Sequence, residues 1–338
     1  MQRPAGTGRR GRYGDEHRQR PKHHLHQHAD ASDIARWHRG TAPHRDFRRD
    51  RQCHRCPHSS SCELVMHNRA SIGELLSSNG LSPRRDLGQN FVVDPNTVRR
   101  IARLAEIGPG SRVVEIGAGL GSLTLALAET GAEVLAVEID RGVVPLLREL
   151  TEPLANVTVV EADAMKADWH ALLGDEPGWV MVANLPYNVA TPLVCDLLDG
   201  VPMIDRMLVM VQREAAERFC ASPRTPQYGA VTVKISYWAT ARIVGHVPAS
   251  VFVPRPNVES SLADIRRRSE PATAAPFDDM FPLIRTAFGQ RRKMLRRSLA
   301  EVVTPEMFDE AGIDNQRRPE ELDVHEWGRL AQAWRAHQ

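Results

Sequence analysis

The sequence has few cysteines, no long apolar run and no apolar segment near its start. Five cysteines in 338 residues do not make a disulfide scaffold, so a reducing compartment is expected. No stretch approaches the roughly 18 consecutive apolar residues that a membrane helix needs, which excludes membrane-spanning helices. The first thirty residues are rich in Arg and His instead and are not a secretory signal. These absences predict a cytoplasmic protein with no membrane partner.

Acidic and basic residues nearly balance over the whole chain, at a formal net charge of +2, but they are unevenly distributed. Residues 1–65 contain 14 basic and 7 acidic residues, whereas residues 66–338 contain 30 basic and 35 acidic residues. The main body is therefore not a uniformly basic nucleic-acid binder. If it binds nucleic acid, it must do so through a local patch.

Residues 1–65 lack helical and strand periodicity, and they hold nine of the fourteen histidines. Such a segment buries too little apolar surface to offset its ordering entropy, so we predict a disordered extension or an over-extended start. Cys53, Cys56, His58 and Cys62 suggest a zinc site. Because no second ligand pair follows at finger spacing, we predict no metal.

From residue 66 onward, apolar β-branched runs alternate with helical patterns. This alternation is typical of an α/β fold, a doubly wound parallel sheet with helices on both faces. Two later strand-like segments flank a proline-rich turn and are expected to form an antiparallel hairpin at the sheet edge. The pattern then becomes purely helical, so we place the α/β domain at 66–268 and a small all-helical domain at 269–338. The predicted strands are Arg112–Ile116, Glu133–Glu138, Val157–Val160, Val180–Ala183, Met207–Val211, Arg242–Val247 and Ser260–Ile265. The predicted helices between them are Leu120–Glu129, Val143–Leu150, Trp169–Leu173, Thr191–Leu198 and Glu214–Cys220.

A glycine-rich turn follows the first predicted strand. Gly117, Gly119 and Gly121 let the chain turn sharply and let a ligand approach the backbone closely. A dinucleotide and S-adenosylmethionine both suit such a turn. The dinucleotide-binding fingerprint requires its third glycine at position 122, where this chain has Ser122. The glycine spacing therefore fits S-adenosylmethionine better. At the end of the next strand, Glu138 is expected to accept hydrogen bonds from ribose hydroxyls.

The ends of the third and fourth strands carry further candidate site residues. Asp163 follows the third strand, where it would accept a hydrogen bond from an adenine amino group. Asn184-Leu185-Pro186-Tyr187 follows the fourth strand, beside the glycine turn. The Asn184 side-chain oxygen and the Pro186 carbonyl would accept both N–H bonds of an aromatic amine and favour the tetrahedral geometry that attack requires. Tyr187 would stack on the base, worth ~1–3 kcal/mol. This pattern predicts transfer to an aromatic amine by positioning alone, without a metal.

Five motifs together are specific, and they occur within residues 70–338. They are Leu87–Phe91, Glu115–Gly121, Asn184–Asn188, Phe252–Ser260 and Phe288–Leu299. In this order they resemble the KsgA-type small-subunit rRNA adenine N6-dimethyltransferases. The resemblance implies a Rossmann-like class I methyltransferase sheet and an enzyme that uses S-adenosylmethionine. Its target would be N6 of two adjacent adenines near the 3′ end of 16S rRNA, late in small-subunit assembly. Ala118 departs from the proline that is frequent in the family, and it keeps the turn feasible.

The resemblance also assigns roles to single residues. The cofactor would be held by Asn90, the backbone at Val92, Gly117, Gly119, Glu138, Asp163 and Asn184. The catalytic residues would be Asn184, Pro186, Tyr187 and Phe252. Phe252 would face Tyr187 across a flipped target adenine, since base-modifying enzymes extrude their target.

A basic stretch near the C-terminus supplies the local patch that the charge distribution requires. Four cations of this stretch have helical spacing, so they would lie on one helix face and bind RNA phosphates. Three further arginines would add to this surface, two of them from the segment that closes over the cofactor. The four are Arg292, Lys293, Arg296 and Arg297, and the further three are Arg291, Arg84 and Arg85. The expected partner is 16S rRNA within the immature 30S subunit, bound by a monomer.

Three other functions compete with this interpretation. A 23S rRNA adenine methyltransferase of the macrolide-resistance type shares the cofactor turn and the asparagine motif, but Leu185 and the basic tail favour the small-subunit enzyme. A mainly non-catalytic assembly factor would not need an intact Asn184–Tyr187 motif. A nicotinamide oxidoreductase would bind NADH.

Overall fold

A computed structural model describes residues 66–338 of the chain. The predicted N-terminal extension and its cysteine and histidine cluster lie outside these residues.

A seven-stranded sheet forms the centre of the first domain, as the strand–helix alternation predicts. Its strands are β2 (Arg112–Ile116), β3 (Glu133–Glu138), β4 (Val157–Glu161), β5 (Trp179–Asn184), β6 (Ile204–Gln212), β7 (Ala239–Val247) and β9 (Ser260–Arg267), and a separate two-stranded ladder pairs β1 (Phe91–Val92) with β8 (Phe252–Val253). The strand order is β4-β3-β2-β5-β6-β9-β7. The first five strands are parallel, and β9 runs antiparallel between β6 and β7. The predicted antiparallel edge is therefore confirmed.

Eight α-helices accompany the strands in the described part of this domain. They are α1 (Arg69–Ser78), α2 (Pro95–Leu104), α3 (Ser122–Ala128), α4 (Val144–Thr151), α5 (Trp169–Leu173), α6 (Ala190–Gly200), α7 (Arg213–Phe219) and α8 (Ala230–Trp238). The sequence does not predict α8, because its β-branched Val231, Val233 and Ile235 favour strands. No helix within residues 66–338 is long and apolar enough to cross a membrane.

Alternate residues of the central strands face different helical layers. Val113 lies in one buried cluster with Ile101 of α2, whereas its neighbour Val114 lies in another with Trp169 of α5 and Leu193 of α6. Successive strand side chains point to opposite faces, so both faces of the sheet are covered. Such a sheet exposes mainly the ends of its strands, and ligand sites are expected at their carboxyl ends.

The C-terminal region is helical, as predicted. It contains α9 (Phe277–Gly289), α10 (Leu295–Ser298), α11 (Pro305–Ala311) and α12 (Val324–Ala336). Its hydrophobic core also takes in Tyr228, Val233 and Tyr237 from the first domain. The hydroxyl of Tyr228 donates to the Leu322 carbonyl at 2.7 Å, and that of Tyr237 to the Ala275 carbonyl at 2.9 Å. The two cores thus meet on α8, and the division after residue 268 stays a prediction.

Candidate active site

A cavity opens at the carboxyl ends of β2, β3 and β5, between the glycine turn and the segment that precedes β1. We call it the carboxyl-edge cavity. It is lined by Leu87, Gly88, Gln89, Asn90, Phe91, Val92, Glu115, Gly117, Ala118, Gly119, Leu120, Ser122, Leu123, Glu138, Ile139, Asn184, Leu185, Pro186 and Tyr187. Three of the five sequence motifs therefore meet here, as the topology of a parallel sheet requires.

The glycine turn between β2 and α3 can be built only by glycine at its key positions. Gly117, Gly119 and Gly121 have φ angles of 76°, 55° and 78°, in the left-handed region. A Cβ on Gly119 would lie 3.1 Å from the Phe91 ring, so a side chain there would push against the wall of the cavity. The turn thus leaves room for a ligand to approach its backbone, and Gly117 and Gly119 lie where the sequence predicts.

Glu138 lies at the end of β3, and its carboxylate is held by backbone N–H groups. One oxygen accepts from Gly119 at 2.7 Å, and the other accepts from Ile139 at 2.9 Å and from Asp140 at 2.8 Å. Glu138 is only 4% exposed, and burial raises the pKa of its carboxyl while the three donors oppose that shift. Its remaining lone-pair capacity faces a cavity in which a ribose hydroxyl would find an acceptor.

Glu115 is a buried carboxyl that the sequence analysis does not single out as a site residue. It lines the cavity, and within residues 66–338 its side chain has one hydrogen bond, from the Thr124 hydroxyl at 2.6 Å. Complete burial raises the pKa of Glu115 to about 8, and the nearby Glu138 charge adds to this. Glu115 is therefore mainly protonated at neutral pH.

The side-chain amide of Asn184 is oriented by a neighbouring backbone group. Its Nδ2 donates to the carbonyl of Asn90 at 2.9 Å, and the Asn90 side chain in turn donates to the Gly88 carbonyl at 2.9 Å. With its nitrogen committed in this way, Asn184 has its Oδ1 available to accept a hydrogen bond. Asn90 and Asn184 are thus brought together, and Asn90 positions the acceptor.

Tyr187 and Pro186 both line the cavity, but Pro186 does not have the free carbonyl that the sequence predicts. That carbonyl accepts the N–H groups of Val189 at 3.1 Å and Ala190 at 3.0 Å, where α6 begins. Both lone pairs of a carbonyl are then in use. The Leu185 carbonyl accepts no hydrogen bond from the described residues, so Leu185 offers a freer acceptor beside Asn184 than Pro186 does.

Phe252 is not presented to the cavity in this structure, contrary to the predicted position opposite Tyr187. Its ring is fully buried among apolar side chains that include Val92, Val98 and Leu262. The reason is that β8 pairs with β1, Phe252 opposite Val92, which directs the ring into the core. Val92 itself lines the cavity as expected.

Asp163 is also not among the residues that line the cavity. It follows β4 near Glu138, since the N–H of Ala162 donates to the Glu138 carbonyl at 3.0 Å, but its carboxylate lies 2.9 Å from the Lys166 ammonium. Ile139, which the sequence analysis misses, lines the cavity and is 44% exposed. The sequence signal for Ile139 is its position directly after the acidic residue that ends β3. An apolar side chain there offers an apolar surface to a base.

The cavity fits S-adenosylmethionine on the chemistry of its walls. The hydroxyl of Ser122 is buried, lines the cavity and has no hydrogen-bond partner within residues 66–338. A buried unpaired hydroxyl is costly, so a polar ligand group at this point would satisfy it. Glycine backbone, the Glu138 carboxylate and the apolar Ile139 add the surfaces that an amino acid, a ribose and a base require. No group of three or more His, Cys, Asp or Glu side chains in the described range is placed to hold a metal ion.

The predicted RNA-binding cations differ in whether their side chains are bound to other residues of the protein. Arg291 is bound to Glu320 of the helical region at 2.5 Å and to the Pro226 carbonyl of the first domain at 2.8 Å, and Arg84 is paired with Asp86 at 2.6 Å. The predicted helical face that would join Arg292 and Lys293 to Arg296 and Arg297 does not form. The reason is that α10 begins only at Leu295, and Arg292 and Lys293 lie in the turn before it. Besides Arg84, the predicted cations whose side chains are exposed are Arg85, Arg292, Lys293, Arg296 and Arg297.

The chain is similar to proteins of one known family. The sequence pattern of the family described as ribosomal RNA adenine dimethylase matches residues 80–335. The ribosomal RNA small subunit methyltransferase A of Thermobifida fusca is 41% identical over 281 residues, which cover 81% of this chain and 98% of that protein. The protein of the same name from Streptomyces coelicolor is 43% identical over 274 residues, which cover 78% of this chain and 95% of that protein.

Two solved structures share the fold. A dimethyladenosine transferase from Plasmodium falciparum superposes with a TM-score of 0.60 at 24% identity and covers 70% of this chain and 94% of its own. The 23S rRNA methyltransferase ErmE superposes with a TM-score of 0.58 at 28% identity and covers 72% of this chain and 99% of its own. With its glycine turn and its anchored asparagine in one cavity, the chain belongs to the ribosomal RNA adenine dimethylase family and is an S-adenosylmethionine-dependent rRNA adenine dimethyltransferase.

Proposed function

We propose that the carboxyl-edge cavity holds S-adenosylmethionine and one extruded adenine, and that it methylates N6 of two adjacent adenines near the 3′ end of 16S rRNA in the immature 30S subunit. The observation that carries this proposal is the Asn184 amide, which lines the cavity and whose nitrogen is bound to the Asn90 carbonyl, so that its oxygen is left as the acceptor. When bound, S-adenosylmethionine supplies an electrophilic methyl group on a sulfonium.

The task of the protein is to make the adenine amine nucleophilic. The lone pair of N6 is delocalised into the ring, and it becomes available when both N–H bonds point to fixed acceptors. Asn184 Oδ1 and the Leu185 carbonyl are two such acceptors on adjacent residues at the end of β5. They favour the tetrahedral nitrogen of the transition state, and Tyr187 offers its ring for stacking. Among the remaining cavity residues, those near the glycine turn and Glu138 would hold the amino-acid and ribose parts of the cofactor.

Sequence identity supports small-subunit rRNA over 23S rRNA as the substrate. The chain is 41–43% identical to relatives named for the small subunit but 28% identical to the 23S rRNA methyltransferase ErmE. Exposed cations on the turn before α10 and on α10 itself offer a surface for RNA phosphates. We propose that a monomer acts in this way in the cytoplasm, and that Asp163 moves to the cofactor adenine when the ligand is bound.

The test is to incubate the protein with labelled S-adenosylmethionine and unmethylated 30S particles, and then to map the modified nucleotides. We expect dimethyladenosine at two adjacent positions near the 3′ end of 16S rRNA. Asn184→Ala should lower kcat on the order of 10²-fold while subunit binding is retained. Label in 23S rRNA or in protein would overturn the proposal, and unchanged turnover in Asn184→Ala would point to a non-catalytic role for the motif.

A further inference from the structure

The Tyr187 hydroxyl and the Ser260 hydroxyl lie 2.9 Å apart and form a hydrogen bond between two sequence motifs. Tyr187 belongs to the asparagine motif after β5, and Ser260 is the first residue of β9. The two residues are 73 positions apart in the chain. Ser260 has no predicted role and does not line the cavity, so this contact reaches beyond the carboxyl-edge cavity.

Ser260 is a rigid anchor. It is fully buried, and it pairs with Gln212 of β6 on one side and with Val247 of β7 on the other. The residue before it is fixed as well, because the Glu259 carbonyl accepts the N–H of Arg213 at 3.0 Å. A hydroxyl on a strand that is paired on both sides has little freedom to move, so it defines a point in space for its partner.

Tyr187 lacks such support at its backbone end. It lies in the turn between β5 and α6, is half-buried, and has its ring at the wall of the carboxyl-edge cavity. A tyrosine in a turn has a choice of side-chain rotamers. The bond to Ser260 fixes the far end of the ring, and burial, which raises the pKa of Tyr187, keeps its hydroxyl protonated.

We propose that Ser260 is a positioning residue for methyl transfer, because it holds the Tyr187 ring in the orientation that stacks on the target adenine. This inference rests on the proposed function, in which Tyr187 stacks on that base. Ser260 touches neither cofactor nor substrate. It acts by keeping the stacking surface preorganised, so that the orientation of N6 toward Asn184 is not lost to rotation of the ring.

The chain provides a matched control in the next residue. Ser261 is equally buried on the same strand, and its hydroxyl bonds to His246 Nδ1 at 3.0 Å on the outer strand β7. Ser261→Ala therefore removes a similar buried hydrogen bond that does not involve Tyr187. Tyr187→Phe removes the same bond as Ser260→Ala from the other side and leaves the stacking ring in place.

The experiment measures kcat and KM on unmethylated 30S particles and S-adenosylmethionine affinity by calorimetry for these three variants and for Ser260→Ala/Tyr187→Phe. We expect Ser260→Ala and Tyr187→Phe each to lower kcat by roughly 3- to 10-fold, as the loss of one hydrogen bond implies. Cofactor affinity should stay unchanged. The double variant should be no slower than the worse single variant, because the bond is already gone. Ser261→Ala should match the wild type.

Three results would overturn the inference. They are a Ser260→Ala enzyme as fast as the wild type, fold-losses that multiply in the double variant, and a Ser261→Ala enzyme slowed to the same extent as Ser260→Ala. Thermal midpoints of all variants show whether lost activity follows lost stability, which would also count against a positioning role. A wild-type protein that does not methylate 30S particles would instead refute the proposed function.

Discussion

The Gln89 side-chain amide bridges the segment over the cofactor cavity to the end of β3. Its Nε2 donates to Asp140 Oδ2 at 2.7 Å, and its Oε1 accepts the N–H of Arg84 at 2.9 Å. The guanidinium of Arg84 lies 3.7 Å from the other oxygen of Asp140. Since Asp140 follows Glu138 by two residues, this bridge ties the covering segment to the strand end that would hold the cofactor ribose.

We therefore expect Gln89→Ala to weaken S-adenosylmethionine binding. The bond that links the covering segment to β3 is the one from Gln89 to Asp140. Its loss costs about one net hydrogen bond, which corresponds to a rise in Kd of roughly 3- to 10-fold. Calorimetry gives the affinity, and stopped-flow displacement should show that the change lies mainly in faster dissociation. Gln316→Ala, a change of the same type at an exposed residue of the C-terminal domain, is the control. Equal affinities for Gln89→Ala and the wild type would show that the bridge does not hold the cavity closed.

We expect the buried Glu115 to make the stability of the protein depend on pH. Burial raises the pKa of Glu115 in the folded state to about 8, well above the ordinary 4.5 of an unfolded glutamate. Between these values the folded state binds a proton that the unfolded state has lost, so the contribution to stability is complete below pH 4.5 and declines until about pH 8. Glu115→Gln keeps an acceptor for Thr124 and removes the titration. Its stability relative to the wild type should thus increase from pH 5 to pH 8 and then level off.

Urea unfolding at several pH values between 5 and 9 measures this difference. The exposed Glu149→Gln on α4 is the matched control for the loss of a carboxylate in general. A pH-independent difference for Glu115→Gln would mean that Glu115 is ionised in the folded protein. That result would also place a negative charge beside Glu138 and change the electrostatics of the cofactor site.

Local patterns predicted most of the strands and the meeting of the motifs, because strand periodicity and parallel topology are properties of short segments. The bounds Arg112–Ile116 and Glu133–Glu138 agree with the structure residue for residue. The errors have two causes. The Pro186 carbonyl is taken up by the N–H groups of Val189 and Ala190 at the start of α6, which begins at Ala190 and not at the predicted Thr191. The position of Phe252 depends on a distant contact, the ladder between β8 and β1, which no local signal encodes.

The buried position of Phe252 can be tested through stability. Phe252→Ala would leave a cavity in the core and should lower the free energy of unfolding by about 3–5 kcal/mol, whereas Phe252→Leu should cost less than ~1.5 kcal/mol. Urea denaturation of both variants supplies the comparison. If Phe252→Ala were as stable as the wild type but unable to methylate RNA, the ring would act on the target base and not in the core.

The cations near α10 should separate into an RNA-binding group and a structural one. Arg296 and Arg297 are exposed, so Arg296→Ala/Arg297→Ala should weaken 30S binding without a change in thermal midpoint. If both contact phosphates, the slope of log affinity against log salt should fall by about two. Arg291→Ala should instead lower the thermal midpoint, because it strips Glu320 of its partner.

A general loss of positive charge is the alternative explanation for weaker binding by the double variant, and Arg103→Ala tests it. Arg103 is exposed on α2, far from α10 in the chain, so its removal should leave both affinity and salt slope unchanged. Binding is measured by filtration of labelled 30S particles at four or more salt concentrations. A single arginine on α2 that mattered as much as one on α10 would show that the attraction is diffuse. An unchanged slope in the Arg296→Ala/Arg297→Ala protein would remove α10 from the RNA-binding surface.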